Sequence, residues 1–350
     1  MSSIPDRVLV VSPNWIGDAI MAHPLLRLLK QHYPHVVIDV LAPSWVAPVW
    51  QAMKEVGQVY ETPFKHGKLH LIERWKLGRF LKTRHYDQAY VLPNTLKFAL
   101  IPWMAAIPER IGYLGECRFG LLNVIHRNDK KHPRPMIPFY AALAEAPTLH
   151  VSSDKWPKPQ LTVSADEMNA VREKLALPLD RLTLAFAPGA EYGPAKRWPV
   201  SHFAELAKRL EKRYARVQIV LLGSVKDREI GEEIVLKVPS VVNLAGRTTL
   251  KEAIALIAGL DVVVTNDSGL MHVASAFDIP LVALYGSTDY RHTPPFSSQS
   301  HIVSLDLDCA PCQKRECPLG HHRCMQQLLP ERVEEIVERI VVENGLEWKK

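Results

Sequence analysis

The feature that most constrains this chain is residues 261–286, DVVVTNDSGLMHVASAFDIPLVALYG. Val262, Val263 and Val264 form a β-branched run of the kind buried on both faces of a sheet. Asn266, Asp267, Ser268 and Gly269 break that run with cap and turn residues. Leu270, Val273, Ala274 and Phe277 then recur at helical spacing, and residues 280–285 return to strand. Small polar residues at a strand's carboxyl end, opening a helix, leave backbone N–H groups free at a positive dipole end. That geometry suits a phosphate group. An ordinary capped helix in an α/β domain reads the same way, so the rest of the chain has to decide.

The same alternation runs from end to end. Strand pattern occupies 7–11, 36–41, 56–61 and 88–92, with helical pattern from Asp18 to Tyr33, from Ser44, and over 70–84. Pro133, Pro135, Pro138, Pro147, Pro157 and Pro159 then crowd residues 132–160, a density expected of a stiff connector. Beyond it strands are expected at 182–186, 217–222, 241–244 and 301–305, and helices at 200–214, 250–260 and 331–342. The expectation is α/β with two Rossmann-like domains, 1–160 and 161–350, joined near 150–180. The only glycine in the loop after the first strand is Gly17, so the G-x-G-x-x-G fingerprint of nicotinamide enzymes is missing there. Ligands in such sheets bind outside the carboxyl ends of the strands, and a cleft between two such domains is the expected active site.

Composition narrows the partners. The chain of 350 residues is 47% hydrophobic and 23% charged, as a globular protein is. No apolar run approaches the roughly 18 residues of a membrane span. The start, MSSIPDRVLVVSP, lacks the parts of a signal peptide, which makes the cytoplasm the expected compartment and reduced thiols the expected state. The net charge of +6 is uneven. Residues 1–160 hold 20 Lys and Arg against 12 Asp and Glu, hence +8, and the remainder holds 23 against 25, hence −2. A basic first half suits nucleic acid, an anionic membrane surface or a phosphorylated sugar, or is only a solvated face.

Four segments together resemble the lipopolysaccharide heptosyltransferases of glycosyltransferase family 9. They are SPNWIGDAIMAHPLL near the start, PGAEYGPAKRWP at 188–199, NLAGRTTLKEAIALIAGLD at 243–261 and TNDSGLMHVA at 265–274. Residues 91–123, VLPNTLKFALIPWMAAIPERIGYLGECRFGLLN, resemble the acceptor-side segment of the branch that extends the first heptose. The resemblance implies a GT-B architecture, two Rossmann-like domains facing a cleft. It implies a donor, ADP-L-glycero-β-D-manno-heptose, on the second domain. The acceptor it implies, on the first domain, is the first heptose of the lipid A–Kdo inner core (heptosyl-Kdo-lipid A). The setting would be the cytoplasmic face of an anionic inner membrane, with no nucleic acid as partner and no cofactor.

Residue roles follow by position. Asp18, where a loop hands over to a helix, reads as an N-cap; the resemblance makes it the general base of an inverting transfer. Lys196, a solvated loop lysine on the bland view, becomes the cation that meets the departing diphosphate. Where related sequences place threonines before this lysine, the stretch here is Gly189-Ala190-Glu191-Tyr192-Gly193, which leaves backbone N–H groups to substitute. Ser268 and Gly269 offer N–H groups to the same diphosphate, and Asp267 orients that loop or contacts the heptose. His272, four residues after Ser268 and so on its helix face, is either a donor contact or a core histidine. Asp227, after Gly223-Ser224, is either a ribose ligand or a surface helix start. Lys97, Arg110, Arg118 and Arg127 are the expected acceptor contacts, beside a helix carrying Arg74, Lys76, Arg79, Lys82 and Arg84.

Cys309, Cys312, Cys317 and Cys324 have a spacing dense enough for tetrahedral zinc, although the family's chemistry is not known to need a metal. Free buried thiols are the leading alternative, and disulfides come last in a reducing compartment. Two rival functions remain. A sugar-nucleotide epimerase of the same fold has no use for a basic acceptor surface. A non-catalytic nucleic-acid or membrane-surface binder has no use for Lys196 or the Ser268-Gly269 loop.

Overall fold

A computed structural model describes residues 4–64, 69–129, 134–148 and 156–346. The chain divides into two compact units, Met1–Thr162 and Val163–Lys350. The first holds β1 (Arg7–Val11), β2 (Val37–Pro43), β3 (Val56–Thr62), β4 (Gln88–Val91), β5 (Glu109–Tyr113) and β6 (Val124–His126). All are parallel, in the order β3-β2-β1-β4-β5-β6. The second holds β7 (Leu182–Ala187), β8 (Val217–Leu221), β9 (Val242–Asn243), β10 (Val262–Asn266), β11 (Leu281–Leu284) and β12 (Ser300–Val303). They too are parallel, in the order β9-β8-β7-β10-β11-β12. Counted from its own first strand, each sheet therefore reads 3-2-1-4-5-6. In that order the chain reverses direction across the sheet between the first and fourth strands. Loops leaving those two strands diverge and open a crevice at their carboxyl ends.

The sequences of the central strands explain their place. Every residue of Leu182–Ala187 and of Val262–Asn266 is buried, as a strand covered by helices on both faces must be. In the second unit the C-terminal helix Pro330–Glu343 buries Val333, Val337, Ile340 and Val341 in one core with Phe203, Leu206 and Leu210 of helix Val200–Arg213. Each such burial contributes about 1.5–3 kcal/mol relative to exposure. Arg213 and Glu338 pair at 2.7 Å across the same two helices.

Two expectations change. The helix expected from Asp18 to Tyr33 is two helices, Ile16–Met21 and His23–His32, interrupted at Ala22. Pro24 is the cause: it has no N–H to donate to the preceding turn and fits only near a helix start. The proline-dense stretch is not merely a connector. Residues Met136–Ala141 form a helix whose Phe139 stacks on Tyr113 with ring centres 3.9 Å apart. The Gln160 amide donates to His23 Nδ1 at 2.9 Å, and the Thr162 amide to the Ala52 carbonyl at 2.7 Å, so the end of that stretch packs back onto the first unit. Residues 130–133 and 149–155 of it lie outside the described residues. Among the described residues no helix is long and apolar enough to cross a membrane.

Candidate active site

In the second unit the crevice lies between the loops that follow β7 and β10. Asn266, the last residue of β10, is fully buried and holds the two together. Its side-chain oxygen accepts from the Trp198 amide at 3.1 Å, and its Nδ2 donates to the Pro188 carbonyl at 2.8 Å. Both ends of the 188–198 loop are thus tied to one side chain. Lys196 sits inside that loop, and its ammonium meets Asp267 Oδ2 at 2.5 Å, with side-chain exposures of 12% and 6%. Thr288 donates to the same oxygen at 2.7 Å. Burial denies both charges much of their hydration, so the pair holds its place through these short contacts.

Helix Gly269–Ala276 starts immediately after, with Ser268 as its extended N-cap residue. The Ser268 hydroxyl makes no cap bond and instead lies 3.2 Å from the Thr265 hydroxyl. The Ser268 side chain therefore leaves the first N–H groups of that helix uncapped. His272, one turn in, is buried, stacks against Phe296 with ring centres 6.0 Å apart, and has an Nδ1 with no hydrogen-bond partner among the described residues. Burial, reinforced by the nearby Lys196 charge and opposed by Asp267, pushes its pKa down to about 4.

A second brace comes from the cysteine-bearing tail. The Gln313 amide donates to the Ser287 carbonyl at 2.7 Å, the Tyr192 hydroxyl to the Gln313 carbonyl at 2.9 Å, and the Ala195 amide to the Arg315 carbonyl at 3.0 Å. The Tyr192 ring lies 4.8 Å from the Lys196 ammonium and 5.3 Å from the Arg315 guanidinium. Gly193 has no alternative here, because a Cβ would stand 2.4 Å from the Arg315 carbonyl oxygen. Cys309, Cys312, Cys317 and Cys324 are half-buried and unbridged. Among the described residues no group of three or more His, Cys, Asp or Glu side chains is arranged to hold a metal ion.

Asp227 follows β8 and uses its Oδ2 to accept from the amide and hydroxyl of Ser224, both at 2.8 Å. Its carboxylate packs where Gly189 has no side chain: a Cβ there would stand 2.2 Å from Oδ1. The helix-start role is therefore filled, at a position that also borders the Lys196 loop.

In the first unit, Asp18 stands after β1, at that sheet's own point of reversal. The N-cap is Trp15, not Asp18, which is the third residue of its helix. Its carboxylate lies close enough to Tyr140 to raise that phenol's pKa further, burial being the larger cause. An open concavity near the carboxyl ends of β2 and β3 is lined by Asn14, Trp45, Phe64, Arg74, Lys97 and Phe98. Of the expected acceptor residues, this concavity contains Lys97. Arg127 is exposed just after β6.

Arg118 and Arg110 require correction. Arg118 is fully buried, and its guanidinium donates to the carbonyls of Tyr113 and, at 2.6 Å, Pro93. Arg110 spends its donors on the carbonyls of Leu121 and Ile107, at 2.7 and 2.6 Å, and on Gly120. The carbonyls of Pro93, Ile107, Gly120 and Leu121 lie on the segments outside the strands, where a side-chain donor has to satisfy them. Both guanidiniums brace those loops instead of facing an anion. Arg74 is likewise buried, donating to the Leu69 and Lys97 carbonyls at 2.7 and 2.9 Å.

Two predictions follow from this geometry. Asn266→Ala leaves the Trp198 amide and Pro188 carbonyl buried without partners, so urea unfolding should show a loss of about 2–4 kcal/mol; a loss under about 0.5 kcal/mol would mean the clamp is dispensable. His272 and His126 both have pKa values pushed down to about 4, the latter by burial and by Arg134. In the unfolded chain they titrate near 6.5, so between about 6.5 and 4 the unfolded state binds more protons. Stability should therefore be full above pH 6.5 and fall on acidification through that window. The His272→Gln variant should show a shallower fall in urea midpoints measured between pH 7 and 4.5, and an equally steep one would contradict the assignment.

Comparison with known proteins places this geometry. The family model described as glycosyltransferase family 9 (heptosyltransferase) matches residues 74–323. The chain is 42% identical over 349 residues to lipopolysaccharide heptosyltransferase 2 of Salmonella typhimurium strain LT2, covering 97% of this chain and all of that one. It is also 42% identical to lipopolysaccharide heptosyltransferase 2 of Escherichia coli K12, covering 97% and 99%. Among solved structures, that of E. coli ADP-heptose LPS heptosyltransferase II superposes with a TM-score of 0.87 at 39% identity, covering 97% of this chain and 99% of that one. A family 9 glycosyltransferase from Veillonella parvula shares the fold at 20% identity, with a TM-score of 0.85. The chain is a glycosyltransferase and belongs to family 9, the heptosyltransferases.

Proposed function

We propose that this enzyme transfers L-glycero-D-manno-heptose from ADP-heptose to the first heptose of the lipid A–Kdo inner core, at the cytoplasmic face of the inner membrane. The observation that carries the reading is the buried Lys196–Asp267 pair at the opening of helix Gly269–Ala276, on a chain 42% identical to heptosyltransferases 2. An epimerase of the same fold has no use for a basic acceptor surface, and family membership argues against one.

In this reading the second unit holds the donor. The Lys196 ammonium and the N–H groups at Ser268 and Gly269 meet the diphosphate, where negative charge grows as the glycosidic bond breaks. Asp267 fixes the ammonium, His272 backs the same helix face, and Asp227 borders the nucleoside. The first unit holds the acceptor, with Lys97 and Arg127 as its cationic contacts and Asp18 as base. The acceptor hydroxyl oxygen bonds to the anomeric carbon on the face opposite ADP and gives its proton to the Asp18 carboxylate. The bond from that carbon to the β-phosphate oxygen breaks, and its electron pair leaves with ADP. Configuration inverts.

The test combines product mass spectrometry with kinetics on ADP-heptose and a truncated core acceptor. Asp18→Asn should lower kcat by about 10²- to 10⁴-fold with ADP-heptose affinity little changed. Turnover near that of the unaltered enzyme would remove Asp18 from the role of base. Absence of a heptose-extended product from the unaltered enzyme would overturn the reading itself.

A further inference from the structure

The helix Leu71–Lys82 carries apolar residues on both sides, and only one side faces the core. Arg74, Gly78 and Leu81 are its buried residues. Gly78 abuts the neighbouring helix so closely that a Cβ would lie 2.7 Å from Met104 Cβ. On the other side Ile72, Trp75, Lys76, Arg79 and Thr83 stand at i, i+3, i+4, i+7 and i+11 and form one stripe. Ile72 is 67% exposed, Trp75 51%, and the flanking Leu71 and Phe80 50% and 41%. Trp103, next in the chain to Met104, is 50% exposed. Lys76, Arg79, Lys82 and Arg84 are all exposed, against the single acid Glu73 within the helix. The Arg79 guanidinium lies 5.3 Å from the Trp75 ring centre, and that of Arg84 lies 4.9 Å from the Phe80 ring centre.

We infer that this face docks onto an anionic lipid bilayer surface. Indole rings settle at headgroup level, aliphatic side chains enter the acyl boundary, and lysine and arginine beside them meet lipid phosphates. All three kinds of group alternate on one stripe here. A nucleic-acid face would need the cations but not Ile72, Leu71 and Phe80. The core of a protein interface is depleted in lysine. Arg74, adjacent in sequence to Trp75 but on the buried side, lines the concavity that also contains Lys97. The docking does not rest on the proposed function.

The experiment is sedimentation with vesicles free of lipopolysaccharide, so that it reads the face and not the acceptor site. The unaltered protein should co-sediment with phosphatidylglycerol-containing vesicles and bind phosphatidylcholine vesicles about 10-fold or more weakly, with strong weakening by salt. Combined Lys76→Glu, Arg79→Glu and Lys82→Glu should lose about 10-fold or more on the anionic vesicles. Ile72→Ser with Trp75→Ser should lose several-fold while leaving the melting temperature and the turnover of a water-soluble acceptor as they were. Equal partition of all three proteins, or binding of duplex DNA in preference to vesicles, would overturn the inference. Loss of heptosyl transfer with vesicle binding intact would instead count against the catalytic reading alone.

Discussion

The contact on which the proposed donor site depends is the one that Asn266 makes with both ends of the 188–198 loop. Lys196 and Asp267 stand 71 residues apart in the chain; Lys196 ends a single 3₁₀ turn, Pro194–Lys196, and Asp267 lies between strand and helix, so neither is on an element long enough to orient it unaided. Asn266 ends β10, so its amide group is fixed by the sheet. By binding the Trp198 amide and the Pro188 carbonyl it fixes the loop to the same frame. Trp198 adds a second anchor, its indole N–H donating to the Leu328 carbonyl at 2.7 Å. An ion pair with so little solvent cannot recover its desolvation cost unless its geometry is fixed beforehand. Here the neutral network does the fixing. A cation held in that way needs little reorganisation when a diphosphate gains charge.

The two units handle cations differently. In the second, Lys196 is held by a carboxylate beside a helix N-terminus. In the first, Arg74, Arg110 and Arg118 are turned inward onto backbone carbonyls. Arginine suits such bracing because its planar fork can satisfy several carbonyls at once and it keeps its charge. Among the described residues, the exposed cations of the first unit are Lys76, Arg79 and Lys82 of helix Leu71–Lys82, with Arg84 just beyond it, and Lys54, Arg127 and Lys158 elsewhere. Charge counted along a sequence therefore overstates what a ligand meets.

Much of this was legible in the residues. The apolar runs at 7–11, 182–186 and 262–264, alternating with helical pattern, pointed to parallel sheets whose strands are covered by helices. The importance of the 188–199 and 265–274 segments was also legible, from their place after strands and from family resemblance. Three things were not. Asn266 reads as a cap or turn residue, and its clamp depends on partners 68 and 78 residues away. The break at Ala22 was signalled by Pro24 but hidden by an unbroken apolar period. The burial of Arg118 and the inward turn of Arg110 could not be read from charge, since loop carbonyls carry no sequence signature. Tyr192 and Arg315 likewise meet only through the fold.

The most direct test of the account is a double-mutant cycle on ADP binding by calorimetry, using Lys196→Met, Asp267→Asn and the two combined. If the pair forms the diphosphate site as a unit, Lys196→Met should weaken ADP by about 10-fold or more, and the double variant should depart from additivity by at least about 1 kcal/mol. Four equal dissociation constants, or strictly additive changes, would show that Lys196 and Asp267 do not act together on the donor.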